Sequence, residues 1–345
     1  MTALSSEVAS PQHGRTFLSK VADLRAWLFL ILLLIFFEAW AQTVYGVTFV
    51  GNTYNLQSVG IFATAPLLLA LGQTFVIISA GIDLSVGFTM GLAAVVSAHM
   101  ANIGATHFGL PPFLAMLLGI ASGVLVAFIP GLVNGWLIAK LRVPPFIGTL
   151  GMYGIARGAA YLVAGGMTVP VSNEWFAWIG NGRIAGVPIL VIIAAVVVLV
   201  MHYLLSQTRF GQHTYAFGAS RVAAVRSGIN VGNLTMRIYL LAAVCAGLAG
   251  ALYSGRFAAG AAQAGEPLLL SSIAAVVIGG ASLFGGSGNI AGTVAGALVI
   301  AVIEYGLVFI NVEPFWQFIA VGVVIIISVL VDQSQRKLLG GRVDE

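Results

Sequence analysis

What most constrains this chain is a succession of long apolar runs in which charged residues are all but missing. A membrane-spanning helix needs roughly 20 predominantly apolar residues. Stretches of about that length fall at 26–45, 56–79, 84–103, 112–139, 145–165, 187–206, 237–257, 290–311 and 314–331, and a shorter one at 271–284. Of the 345 residues, 59% are hydrophobic and only 8% are charged, too few to cover the surface of a water-soluble domain of this size. The expected fold class is therefore an all-α polytopic membrane protein with about ten transmembrane helices, because in lipid a helix satisfies its own backbone. The layout that follows is a tail over 1–25, a transmembrane domain over 26–331 with a long polar loop at 207–236, and a second tail over 332–345.

An even number of spans puts both termini on one side of the bilayer. Arg15, Lys20, Arg25, Lys140, Arg142, Arg209, Arg221, Arg226, Arg237, Arg336, Lys337 and Arg342 then share that side, and Arg157, Arg183 and Arg256 do not. The positive-inside rule assigns it to the cytoplasm. The formal net charge of +4 reads as topology, not as affinity for nucleic acid. Residues 1–24 are polar and no small-residue cleavage site follows the first apolar run, so no cleavable signal peptide is expected. Cys245, the lone cysteine, lies in an apolar run, which excludes a disulfide framework and a cysteine-based metal site.

The longest polar interval in the body of the chain is Thr208–Val231. Within it Ser220 is placed to cap a short helix from Arg221 to Ser227, and Gly228 supplies a left-handed stop. That helix would carry Ala223 and Ala224, the pair Val222 and Val225 at i, i+3, and the charges of Arg221 and Arg226. A small apolar face with a charged rim suits docking into a groove on a soluble partner. An ordinary positively charged cytoplasmic loop is the plainer alternative. Two Gly-rich interruptions, Gly81–Gly87 and Gly279–Gly288, precede apolar runs in opposite halves of the chain, as in transporters built from repeats. Pro130-Gly131 is expected to interrupt the fourth span, and Trp175 and Trp178 mark an interfacial loop.

Several kinds of chemistry are missing. None of Lys20, Lys140 and Lys337 follows glycine, so the chain has no phosphate-cradling Gly-Lys-Ser/Thr loop. No His-Glu-x-x-His, Gly-x-Ser-x-Gly or paired-Cys motif occurs, and the five histidines are scattered. Neither enzyme activity nor a cofactor is expected. Ionisable residues inside spans usually face a bundle interior or a cavity. Four stand out: Glu38, next to Trp40 and able to snorkel; Asp83, in a glycine-flanked break where with Ser85 it can satisfy backbone N–H groups; Arg157, which needs a partner; and Glu304, the candidate partner. Asn134, Tyr153 and Gln263 are polar residues that would suit a polyhydroxylated solute, or would equally serve helix–helix packing.

At this point the sequence resembles the ribose-type permease subunits of bacterial ABC importers. The resemblance rests on Gly81-Ile-Asp-Leu-Ser-Val-Gly87, on Asn134–Met152 with its Lys140-Leu-Arg-Val-Pro-Pro-Phe146 core, on the 208–231 loop, and on Ile273–Gly286 with Gly288, Gly292 and Thr293. These four blocks stand in the family's order and span nearly the whole chain beyond the N-terminal tail. The resemblance implies a subunit of the bacterial inner membrane working with a cytoplasmic ABC ATPase, a periplasmic or extracellular sugar-binding protein, and a second permease chain, identical or paralogous. Val222-Ala-Ala-Val-Arg-Ser-Gly228 is similar to the family's Glu-Ala-Ala-x-x-x-Gly coupling helix. Gly218, Ser220, Arg221, Ala223, Ala224, Arg226 and Gly228 would then contact or shape contact with the ATPase. Asp83, Ser85, Asn134, Tyr153, Arg157, Gln263 and Glu304 would lie along the solute pathway.

The chain departs from the family pattern in three places. Val222 replaces the motif's Glu, Leu269 and Ser271 stand where many relatives carry acidic residues, and Glu304-Tyr305 stands where relatives often show Asn. These positions leave the solute open. The expected function is import of a pentose or hexose, with a nucleoside, a quorum signal or a branched-chain amino acid as alternatives. A proton-coupled transporter using Asp83, Arg157 and Glu304 is the rival of a different class.

Overall fold

The computed structural model describes residues 17–313 and 315–339. The outermost parts of the two expected tails, with Arg15 and Arg342, lie outside the described residues. Helices occupy all ten expected span positions: α1 (Phe17–Trp40, continued by a π-turn at Ala41–Tyr45), α2 (Thr53–Ile78), α3 (Val86–Thr106), α4 (Pro112–Ala139), α5 (Pro145–Ala164), α7 (Ile189–Gln207), α10 (Val231–Phe257), α11 (Glu266–Ile278), α12 (Ile290–Phe309) and α13 (Phe315–Leu339). The remaining elements are α6 (Glu174–Asn181), α8 (Arg209–Ala219), α9 (Arg221–Arg226), and two-residue strands β1 (Val169–Pro170), β2 (Arg183–Ile184), β3 (Val187–Pro188) and β4 (Ala259–Gly260).

Seven of these helices are long and apolar enough to cross a bilayer: α1 with its π-turn, α2, α3, α4, α7, α10 and α12. The other three expected spans fall outside that set: α5 carries Arg157 and four glycines, α11 has only 13 residues, and α13 is apolar over Phe315–Ile327 among the described residues. At 1.5 Å per residue α11 is about 20 Å long, short of the ~30 Å hydrocarbon core. It also begins earlier than the 271–284 expected from hydropathy, so Glu266 starts the helix.

The centre of the molecule is α10, which packs most extensively on α4, α3 and α2. Small residues permit this closeness: Ser254 Oγ on α10 donates to the Ala94 carbonyl of α3 at 2.9 Å. α12 packs on α2, α11 and α1 and forms a second cluster in which Phe37, Phe49, Val299 and Ile303 are buried. α4 runs unbroken through Pro130-Gly131, both buried, correcting the expected interruption. Membrane helices tolerate proline where neighbours take up the freed backbone groups.

Between the helices, β1 pairs antiparallel with β4, in register Val169 to Gly260 and Pro170 to Ala259. The Trp175/Trp178 segment is a helix, not the expected loop. Asn173 Oδ1 caps α6 by accepting from the N–H groups of Trp175 and Phe176, both at 3.0 Å. Glu38 does not simply snorkel either. Its carboxylate clamps the turn after α1, accepting from Phe49 N at 2.8 Å, Val50 N at 2.7 Å and Gln42 Nε2 at 2.6 Å.

The two Gly-rich interruptions close their helices in the same way. At the end of α2, Ala80 is left-handed at φ 61°, Ala80 N donates to Ile77 O and Gly81 N to Val76 O. At the end of α11, Gly280 has φ 95°, Gly280 N donates to Val277 O and Ala281 N to Val276 O. Beyond these turns the two loops diverge. They nonetheless meet, through a 2.8 Å bond from Gly286 N to Ile78 O.

Candidate pathway and docking site

Asp83 sits at the foot of α3, almost wholly buried. Its Oδ1 accepts from Ser85 N at 2.8 Å and from Ser85 Oγ at 2.6 Å, satisfying donors at a helix start that would otherwise be orphaned. Asn134 Nδ2, from the buried face of α4, donates to Ser85 Oγ at 2.9 Å and reaches Asp83 Oδ1 at 3.5 Å. Gln73 of α2 donates to the Asp83 carbonyl, and Thr149 of α5 to the Ile82 carbonyl at 3.2 Å. Asp83, Ser85 and Asn134 are thus brought together, with Gln73 and Thr149, into a sealed polar knot. Gln73 Oε1, Asn134 Oδ1 and the Tyr239 hydroxyl around it are buried with no hydrogen-bond partner among the described residues. Below the knot a cavity of about 440 Å³ opens between Gly81, Arg142, Phe217, Arg221 and Tyr239.

Tyr153 and Arg157 follow Thr149 by one and two turns along α5, on the face that meets α3. Arg157 is exposed and its guanidinium lies 5.3 Å from the centroid of the Phe88 ring, beside the Tyr153 hydroxyl. Tyr153 packs edge-on against Phe88, with centroids 4.8 Å apart, and its hydroxyl donates to Glu266 Oε1 at 3.4 Å. Hydropathy alone places Glu266 in a loop, whereas in the structure it opens α11. Gln263 is exposed in the segment leading to it. That segment lies directly on α3: a Cβ on Gly91 would sit 1.9 Å from the Ala262 carbonyl. Glycine here is a condition for the loop to enter the bundle and start α11 at depth. A "Gly91" in a run of small residues is the only trace of this in the sequence.

Glu304 is not the partner of Arg157, contrary to expectation. It accepts from Ser271 Oγ at 3.2 Å and its own carbonyl accepts from Gln317 Nε2 at 3.2 Å, in the group of α11, α12 and α13. It borders a separate, mainly apolar cavity of about 280 Å³ with Phe62, Tyr253 and Leu268. The seven expected pathway residues therefore divide into the Asp83 knot, the Tyr153–Arg157 pair, Gln263 in the segment before α11, and a separate Glu304.

The polar loop forms α8 and α9. Thr208 and Ser220 cap them: Ser220 Oγ accepts from Ala223 N at 3.3 Å, and Gly228, at φ 80°, ends the turn after α9. On α9 only Ala224 is buried. Val222 and Val225 are 62% and 56% exposed, and Arg221, Ala223 and Arg226 are exposed beside them. α8 is anchored to the bundle. Phe210 stacks on Phe75 with centroids 5.4 Å apart, and the Tyr215 hydroxyl donates to Gly288 O at 2.6 Å. Burial holds the Tyr215 phenol above its ordinary pKa, so it remains a donor. Gly218 is wedged where three backbones meet: a Cβ there would lie 1.7 Å from Ile78 O and 2.7 Å from Gly286 N. The loop that carries α9 is thereby keyed to both helix breaks at once.

The profile of the family described as branched-chain amino acid transport system / permease component matches residues 55–329. Among curated proteins the chain is similar to a fructose import permease protein of Rhizobium meliloti, 34% identical and covering 97% of this chain and 94% of the relative. It is also similar to the ribose import permease protein of Escherichia coli strain K12, 36% identical over 83% of this chain and 87% of the relative. The ribose import permease protein of Bacillus subtilis is 38% identical over 78% and 81%.

Proposed function

The chain belongs to the branched-chain amino acid transport system / permease component family, and from that premise we propose that it is the membrane-spanning subunit of an ATP-driven importer carrying a monosaccharide, a pentose or hexose, into the cytoplasm. The relatives named as fructose and ribose import permeases support the sugar. The observation that carries the mechanism is α9. It is a short capped helix presenting Val222 and Val225 to solvent, on a loop whose Gly218 is locked against the ends of α2 and of the α11–α12 turn. Apolar side chains exposed in the cytoplasm point to a soluble partner.

In this reading a cytoplasmic ABC ATPase binds α9, a periplasmic or extracellular sugar-binding protein delivers solute to the outer face, and a second permease chain completes the passage. Closing of the ATPase pair on ATP displaces α8–α9. Because Gly218 is backed by Ile78 O and Gly286 N, that displacement passes to the two breaks, shifting the balance between outward- and inward-open states. The protein sits in the bacterial cytoplasmic membrane with both termini inside. Tyr153, Arg157 and Gln263 belong to the passage, since exposed polar groups at that depth are costly against lipid.

The rival proton relay loses its geometry, as Asp83, Arg157 and Glu304 occupy three separate places. Labelled-sugar uptake in vesicles holding the whole transporter separates the two. Uptake that continues in the presence of a proton uncoupler and stops without ATP supports the importer. Uptake driven by a proton gradient in the absence of ATP contradicts it.

A further inference from the structure

Charged side chains within a membrane domain are expected to be paired or directed to water. Arg157 and Glu266 are neither sealed in the core nor joined directly by a salt bridge. Arg157 lies twelve residues into α5, roughly 18 Å from its cytoplasmic end. It is exposed, and Glu266 is half-buried at the first turn of the short α11. Tyr153 stands between them, with the guanidinium beside its hydroxyl oxygen and its O–H directed at Glu266 Oε1. At 3.4 Å this last contact is far longer than the usual ~2.7–2.8 Å for O–H···O, so it is weak and readily exchanged for a solute hydroxyl. Oε2 remains for a second hydroxyl. Phe88, held edge-on to Tyr153, backs the pair with an aromatic ring.

We propose that Glu266 is a specificity-determining residue of the passage. Its carboxylate accepts hydrogen bonds from hydroxyl groups of the passing solute while Tyr153 and Arg157 hold the opposite polarity close by. The inference rests on the importer reading above and adds to it the residue that discriminates among solutes. One carboxylate and one guanidinium flanking a phenol leave the face without net charge. Such a face accommodates a neutral polyhydroxylated molecule, and disfavours a singly charged one, which meets one matching and one opposing charge. A carboxylate acceptor also distinguishes hydroxyl positions, because a sugar lacking a hydroxyl leaves a desolvated oxygen unpaired.

The test is uptake in the native host with each variant replacing the wild-type copy, so that the soluble binding protein and ATPase are unchanged. The probes are labelled D-ribose, D-fructose, D-allose, D-galactose and leucine, with amount in the membrane measured by immunoblot. Glu266→Gln is expected to lower kcat/KM for the preferred sugar about tenfold and to reorder the others, with Glu266→Asp restoring part of the original order. Tyr153→Phe is expected to raise KM and alter the order with kcat nearly kept. If the order and the constants are those of wild type in Glu266→Asp and Tyr153→Phe, the proposal is overturned, whether or not Glu266→Gln reaches the membrane. Equal loss for every sugar at normal abundance also overturns it, because that marks a structural role. A wild type that carries leucine and none of the sugars refutes the monosaccharide reading instead.

Discussion

Asp83 is held in the interior because its carboxylate substitutes for hydrogen bonds that the start of α3 lacks. Oδ1 serves both Ser85 N and Ser85 Oγ, so the charge is compensated locally and Asn134 adds a third donor at longer range. Asp83→Ala would leave these buried donors without their acceptor, at about 1–3 kcal/mol for each group unsatisfied. It is expected to lower the thermal unfolding midpoint of the detergent-solubilised chain and its abundance in the membrane along with transport. Asp83→Asn retains an acceptor oxygen and is expected to do less harm on both counts. Normal abundance of Asp83→Asn with transport abolished would refute this structural assignment and place the carboxylate on the solute's route. The contrast with Glu266 is one of partners: three donors converge on Asp83, and a single long contact reaches Glu266.

At the scale of elements, the mechanical link is the fit of α8 and α9 against the two helix breaks. Gly218→Ala would drive a Cβ into the Ile78 carbonyl, a backbone atom that cannot rotate aside. The expected result is a chain that inserts normally but transports at least tenfold less, with ATP hydrolysis by the partner no longer stimulated by the binding protein. Unchanged transport in Gly218→Ala would show that the loop is free of the breaks. The elements themselves were largely legible from the sequence, since apolar runs mark membrane helices and Ser220 and Gly228 bracket α9 where a cap and a stop belong. What was hidden had physical causes. Pro130-Gly131 looks like a break and is absorbed by packing on α10. α6 is too short for a periodic signal. α11 starts within the bundle because Gly91 admits the preceding loop, and hydropathy, blind to that contact, set the helix five residues late and lost Glu266. Likewise the pairing of Arg157 depended on which face of α5 meets α3, which no spacing along the chain reveals.

As a whole, the molecule is a helical membrane body with one exposed handle, α8–α9. α10 at the centre ties α2, α3 and α4 together, and the two similarly closed breaks at the ends of α2 and α11 touch each other and the α8–α9 loop. Tyr153, Arg157 and Glu266 are more accessible than the buried Asp83 knot, which they adjoin one turn along α5 from Thr149. In the proposed orientation, which rests on the positive-inside pattern, α9 lies on the side where ATP is available. The central claim is that this handle is where a separate ATPase takes hold. The most direct test is affinity capture of the tagged chain from detergent-solubilised native membranes, comparing wild type with the double variant Val222→Glu, Val225→Glu. Both side chains point to solvent, so the fold is expected to survive. The account predicts that an ATP-binding subunit is captured with wild type and lost from the variant. Equal capture by both, or an ATPase absent from wild type under conditions where uptake persists without ATP, would contradict it.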